Sequence, residues 1–221
     1  MLGASARNNL RFRKSFIIKA MNVVSLFLKA PILGAVKTRL AKSMGDEGAL
    51  MTYCELVEFL LKRIPEAKVH VHYTPDALSK MEDWLGPNYL YRLQKGGGLG
   101  DRLIHSMQWE FEAGCEKLIF LGGDCPFVDQ ARLDEAFAAL DKNDVVIGPA
   151  IDGGYYLIGI KQSRPELFNG IDWGTESVCE TTLSICEREG LSVALLKVES
   201  DVDDLESWEK AKTFMRSTSS S

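Results

Sequence analysis

The sequence predicts an α/β fold built on a mainly parallel sheet, and three observations carry that prediction. Apolar runs of strand length alternate with helix-length amphipathic segments along most of the chain, the pattern of repeated βαβ units. The two clearest apolar runs, 23–28 and 117–121, each open into a loop of glycine and charged residues, as strands do at the carboxyl edge of an open sheet. With 221 residues and 46% hydrophobic content, the chain holds enough apolar material for one full core, so a single domain is expected over 22–215.

Each element follows from local pattern. After the first strand, a helix is predicted over 46–64, where Leu50, Tyr53, Leu56, Val57, Leu60 and Leu61 recur on one face. Residues 69–73 read as a short strand, and Pro75 introduces a short helix over 76–85. A third strand is expected over 89–93. The glycine run 96–98, with Gly100, opens a helix to about residue 115 that carries Asp101 and Arg102 in its first turn. The central strand 117–121 ends at Gly122, Gly123, Asp124, Cys125 and Pro126. A helix over 129–140 leads to a strand at 144–148. The hairpin-like piece 149–154 then leads to a strand at 155–160. A helix over 175–189, a strand over 193–198 and a helix over 204–215 complete the pattern, and no internal repeat is visible.

Composition narrows the function. The formal net charge is −5, yet Arg7, Arg11, Arg13, Lys14 and Lys19 in the first twenty residues face no acid, so the remainder carries −10. So acidic a body is a poor partner for nucleic acid, and any basic loop on it is aimed at a small anion. Residues 1–21 read as a disordered basic extension before an internal start at Met21, and 216–221 as a disordered tail. No run approaches the length of a membrane span. Five cysteines, none in a Cys-x-x-Cys pair, suggest neither a disulfide framework nor a zinc site and fit a reducing cytoplasm.

Several loops could carry chemistry. The loop after the first strand brings Lys29, Gly34, Lys37 and Arg39 together, and it departs from the P-loop because Val36 precedes Lys37-Thr38. A backbone that approaches closely at Gly34, with three cations beside it, suits phosphate; the other reading is a solvated basic connection. Asp124, past the end of the central strand, reads as a divalent-cation ligand or as a turn aspartate satisfied by its own backbone. Asp152-Gly153-Gly154-Tyr155 is either a ligand-facing elbow or a hairpin turn. The segment from Gly96 to Arg102 offers amides at a helix N-terminus, where anions are favoured. Asp203, three residues before Glu206, fits a helix N-cap as well as a metal. Trp173 and Thr175 fit a substrate wall or a helix start. A triad hydrolase is excluded by the lack of a nucleophile elbow, and His70, His72 and His105 stand near no Ser or Cys motif.

Read in order, these motifs resemble the bacterial nucleotide-diphospho-sugar transferase family of the GT-A glycosyltransferase superfamily, which is related to the guanylyltransferases of molybdenum-cofactor and phospholactate metabolism. The match lies in Lys29-Ala-Pro31 with Gly34 and Lys37-Thr38-Arg39-Leu40, in Gly100-Asp101-Arg102, and in Gly123-Asp124-Cys125-Pro126. It continues through Gly148-Pro149-Ala150 and Asp152-Gly153-Gly154-Tyr155-Tyr156 to Asp201-Val202-Asp203, so that it spans about residues 22–210. The last motif departs from the usual pattern, because Asp204-Leu205 stands where Thr-Pro is common. The resemblance implies a Rossmann-like GT-A fold with helices on both faces of the sheet. It implies nucleotide contacts at Lys29, Gly34, Lys37, Arg39, Gly100, Asp101 and Arg102, and Mg2+ or Mn2+ at Asp124 with Asp203. Sugar or acceptor would lie near Asp152, Gly153, Gly154, Tyr155, Trp173 and Thr175, with Asp124, Lys37 and Asp152 as catalytic groups. Three functions stay open: a metal-dependent glycosyltransferase taking a nucleotide-diphosphate sugar and a small-molecule acceptor, a nucleotidyltransferase releasing pyrophosphate from a nucleoside triphosphate, and a non-catalytic nucleotide-binding module.

Overall fold

The computed structural model describes residues 21–65 and 68–219. Seven strands form one sheet: β1 (Met21–Lys29), β2 (Val69–Thr74), β3 (Leu90–Leu93), β4 (Cys115–Gly122), β5 (Val145–Pro149), β6 (Tyr155–Ile160) and β7 (Val193–Leu195). Their order is β3-β2-β1-β4-β6-β5-β7, and all neighbours run parallel except β6, which is antiparallel to both β4 and β5. Among the described residues six α-helices, α1 (Thr38–Arg63), α2 (Leu78–Leu85), α3 (Leu99–Glu112), α4 (Gln130–Lys142), α5 (Val178–Arg188) and α6 (Leu205–Ser219), surround it, with a short 3-10 helix at Pro165–Phe168.

Strand alternation decides which helix covers which face. On β1, Val24, Leu26 and Leu28 join Ile119 and Leu121 of β4 against α1, α2 and α4, where Val57, Met81 and Leu133 close the layer. The opposite faces of the same strands, with Val23, Leu118 and Phe120, pack on Leu103 and Met107 of α3 and Ile185 of α5. Full burial of one such side chain contributes about 1.5–3 kcal/mol, so two continuous layers fix the sheet between the helices. A third cluster seats α6 on α1 through Leu40, Leu56, Phe59, Trp208, Ala211 and Met215.

The elements differ from expectation at their ends. Strand β1 already includes Met21, paired with Cys115, and so begins inside the range expected to be extension. Helix α1 starts at Thr38 rather than Asp46; its two parts meet at Gly45, whose φ of 77° is non-helical. Strand β7 stops at Leu195, leaving Leu195 and Val198 exposed. Helix α6 continues through Ser219 into the expected tail, with the Ser217 and Thr218 hydroxyls donating back to the Phe214 carbonyl. The expectations for residues 1–20 and 220–221 lie outside the described residues.

One polar cluster is sealed between the sheet and α3. The Glu110 carboxylate has no solvent exposure and accepts from His70 Nδ1 at 2.9 Å, His72 Nε2 at 2.8 Å and Ser25 Oγ at 3.4 Å. Burial opposes its charge, but the two imidazoles outweigh that and hold its carboxyl below the usual value of 4.5. Burial also dominates at His72 and pushes its imidazole below 6.5, so the folded chain resists a proton that the unfolded chain accepts. Both shifts have the same sign for stability. His72 withdraws its contribution as pH falls through the unfolded value of about 6.5, and Glu110 does so as pH falls below about 4.5. The melting temperature should therefore decline between about pH 7 and pH 5, and His72→Gln, which cannot titrate, should flatten that decline. Equal slopes for the two proteins would remove His72 from this account.

Candidate active site

The carboxyl ends of β1 and β4 and the start of β6 meet at one edge of the sheet, and three loops and one acidic segment rise from it. The segment 199–204 is stitched to its neighbours by Val202 N donating to Asp124 O at 3.1 Å and Ile151 N donating to Glu199 O at 3.0 Å. Gly123 permits a close approach beneath Asp124: an added Cβ there would come within 2.6 Å of Leu28 and 2.9 Å of Val57. The aspartate therefore emerges directly over the packed core.

Lys37 is the centre of the charge arrangement. Its backbone is left-handed (φ 47°), a conformation that costs a side-chain-bearing residue about 1–2 kcal/mol, and its carbonyl accepts from Ala41 N as α1 begins. The side chain is only 5% exposed, and its ammonium meets Asp124 Oδ2 at 2.9 Å, Asp203 Oδ1 at 3.5 Å and the Val202 carbonyl. Burial opposes its charge, yet Asp124, followed by Asp203 and Asp201, outweighs that and raises its pKa above the usual 10.5. Asp201 lies deeper, and burial together with the Asp124 charge pushes its carboxyl up to about 7. Arg39 pairs with Asp203 at 3.3 Å and is 70% exposed. Behind them, the Tyr53 hydroxyl accepts from Lys29 N at 2.8 Å and donates to Lys29 O at 2.9 Å, fixing the end of β1. Burial, followed by the Asp124 charge, raises the Tyr53 pKa well above 10.

Two adjoining chambers open over this cluster and share Phe27, Leu99 and Gly122. The smaller, about 220 Å³, includes Lys29, Lys37, Arg102, Gln94 and Asp124 in its lining. The larger, about 590 Å³, is lined by Arg39, Asp152, Gly154, Tyr155, Trp173, Thr175, Glu176 and Asp201, among others. Of the sequence-predicted residues, Lys29, Lys37, Arg39, Arg102, Asp124, Asp152, Gly154, Tyr155, Trp173 and Thr175 line the two chambers, whereas Gly34, Gly100, Asp101, Gly153 and Asp203 do not. Some take positions that their motifs do not reveal. Asp101 turns back on the glycine loop, its carboxylate accepting from Gly97 N at 3.3 Å and Gly98 N at 3.4 Å, where it competes with any anion for those amides. An added Cβ at Gly100 would lie 2.9 Å from the Trp173 indole nitrogen, which places Gly100 against the wall of the larger chamber. Arg39 lines the larger chamber rather than the smaller. Gly34 (φ 74°) sits near Asp46, whose carboxylate would lie 3.3 Å from an added Cβ.

Asp203 does not cap α6. That role falls to Asp204, whose Oδ1 accepts from Ser207 N at 2.8 Å, while Asp203 points its carboxylate at Lys37 and Arg39. A capping Asp and a site Asp stand side by side, and only the direction of the chain separates them. Gln94 and Phe27 belong to none of the motifs, and Asp201, which opens the last of them, has no role assigned by it.

The seven-stranded α/β sheet with a cation-lined chamber at its carboxyl edge is of the nucleotide-diphospho-sugar transferase kind. The chain belongs to the bacterial family described as "Uncharacterized protein conserved in bacteria (DUF2064)", which matches residues 59–175. A solved structure from Desulfovibrio desulfuricans G20, proposed to be a nucleotide-diphospho-sugar transferase, superposes with a TM-score of 0.79 at 30% identity, covering 90% of this chain and 98% of that one. A nucleotidyl transferase from Methanothermobacter thermautotroptrophicus gives a TM-score of 0.59 at 16% identity, with coverages of 89% and 99%. A 4-diphosphocytidyl-2C-methyl-D-erythritol synthase from Anaerococcus prevotii DSM 20548 gives 0.57 at 11%, with coverages of 88% and 99%. The last two share the fold alone. None of the curated proteins compared matches the chain. No helix among the described residues is long and apolar enough to cross a membrane.

Proposed function

We propose that the chain is a metal-dependent glycosyltransferase that takes a nucleotide-diphosphate sugar as donor and a small molecule as acceptor. One observation supports this most strongly: the Lys37 ammonium, held between Asp124 and Asp203, lines a cation-rich chamber that adjoins a larger one with room for a sugar. In this reading the diphosphate lies in the smaller chamber along Lys29, Lys37 and Arg102. The sugar projects past Lys37 toward Asp152, Gly153, Gly154, Tyr155, Trp173 and Thr175, and Arg39 holds Asp203 in place.

The donor set fits Mg2+ or Mn2+. Asp124 and Asp203 already share one cation, retain 41% and 42% side-chain exposure, and supply the hard oxygens that such ions take alongside substrate phosphate. Among the described residues no group of three or more His, Cys, Asp or Glu encloses a metal position, so substrate oxygens would complete the coordination. A bound divalent ion would supply charge stabilisation to the departing diphosphate. Lys37 supplies the same from the protein, already oriented before the reaction. In this reading Asp152, exposed and with one oxygen accepting from Gly154 N at 3.0 Å, takes the acceptor proton. Five free cysteines match a reducing cytoplasm.

Nucleoside diphosphates with Mn2+ should raise the melting temperature by several degrees, because a ligand bound only to the folded state stabilises it. Asp124→Asn should retain the nucleotide effect in part and lose its dependence on Mn2+. A wild-type protein indifferent to every common nucleotide, with and without Mn2+, would reject the assignment.

A further inference from the structure

The two chambers carry opposite charge. Lys29, Lys37 and Arg102 accompany Asp124 in the lining of the smaller, whereas Asp152 and Glu176 accompany Arg39 in the larger, with the deeper Asp201 behind them. Arg39 is the single cation of that lining and shares its charge with Asp203 at 3.3 Å, so carboxylates outnumber cations in the larger chamber. Asp152 and Glu176 are exposed and form no ion pair among the described residues. Aromatic surface completes the lining: Tyr155 and Trp173 meet edge to face at 6.2 Å, with Phe27 and Phe120 beside them. Carboxylates combined with aromatic lining suit a polarised C–H surface or a cation, and repel phosphate.

We infer that the acceptor bound in the larger chamber carries no phosphate or carboxylate group, and is an uncharged or cationic hydroxyl compound stacked on the Trp173 side. This rests on the glycosyl-transfer reading and narrows it. The acceptor oxygen contributes the electron pair that forms the bond to the anomeric carbon. The bond from that carbon to the diphosphate oxygen breaks, its electrons leave with the nucleoside diphosphate, and the hydroxyl proton passes to Asp152. A sugar phosphate, the usual partner for nucleotidyl transfer, would have to place a second anion beside Asp152 and Glu176. The charge separation therefore selects for the acceptor as well as the donor.

The test uses benzyltrimethylammonium, benzyl alcohol and phenylacetate, which differ in charge but share a ring. Binding is read from the Trp173 indole resonance, identified by its loss in Trp173→Phe. Wild-type protein should bind the cation roughly tenfold more tightly than the anion, with the alcohol between, and added salt should shrink the difference. The exposed substitutions Asp152→Asn and Glu176→Gln, together or singly, should bring cation and anion toward equal affinity. Anion binding as tight as cation binding, an unchanged preference in the variants, or no movement of the Trp173 signal with any probe would overturn the inference. Release of nucleoside diphosphate from nucleotide sugars, measured in parallel, reports on the glycosyl-transfer reading itself and separates its failure from failure of the acceptor class.

Discussion

Lys37→Met should slow release of nucleoside diphosphate from a nucleotide sugar by roughly two to three powers of ten, the effect of removing one preorganised contact to developing charge. The methionine retains the aliphatic stem and loses only the ammonium that touches Asp124 at 2.9 Å and Asp203 at 3.5 Å. Breaking a fully buried ion pair costs about 3–5 kcal/mol, but here both carboxylates retain about two fifths of their exposure and can rehydrate. The stability loss should accordingly be about 1 kcal/mol, small beside the catalytic loss. Arg39→Met is the comparison: Arg39 is 70% exposed and among the described residues pairs only with Asp203, so a reduction of several-fold is expected. Equal losses in the two variants would mean that the phosphate does not reach Lys37.

The second large effect belongs to Gly153. Its φ is +86°, and an added Cβ would stand 2.0 Å from the Glu176 carbonyl oxygen, a backbone atom that cannot step aside alone. The same turn is tied to α5 by Cys179 N donating to Gly153 O at 2.9 Å. Gly153→Ala must therefore move the start of α5 or flatten the elbow, and both Asp152 and the wall of Thr175 and Glu176 move with it. We expect a loss of about 2–4 kcal/mol in denaturant unfolding together with a marked fall in turnover. Gly170→Ala isolates the backbone component, since Gly170 has φ +72° and nothing within 4 Å of an added Cβ; it should cost about 1–2 kcal/mol and spare activity. Similar costs at the two glycines would show that the contact with Glu176 is not tight.

Much of this organisation is legible in the sequence because strand ends, glycines and acids recur together. Strand β6 has its expected bounds, and the loops carrying Lys37, Asp124 and Asp152 reach one edge because parallel strands place their carboxyl ends on the same side. The direction of β6 is not legible: alternation of side chains in Tyr155–Ile160 is the same for either orientation, and pairing decides it. The first part of α1 is hidden because Lys37-Thr38-Arg39 reads as a charged loop, and a left-handed lysine at a helix start leaves no signature. Adjacent aspartates likewise conceal their division of labour, settled when Ser207 takes Asp204 as its cap partner and leaves Asp203 for Lys37. The charge difference between the chambers arises only in three dimensions, since Arg102, Glu176 and Asp201 acquire meaning from the walls they share.

The most direct measurement is phosphorus NMR of the protein with Mg2+ or Mn2+, incubated separately with nucleotide sugars and with nucleoside triphosphates. Glycosyl transfer predicts that at least one nucleotide sugar yields its nucleoside diphosphate, slowly with water alone and faster with an uncharged hydroxyl acceptor, while the triphosphates stay intact. Pyrophosphate released from a triphosphate in the presence of a sugar phosphate, with every nucleotide sugar inert, would contradict the account and make the crevice that of a nucleotidyltransferase.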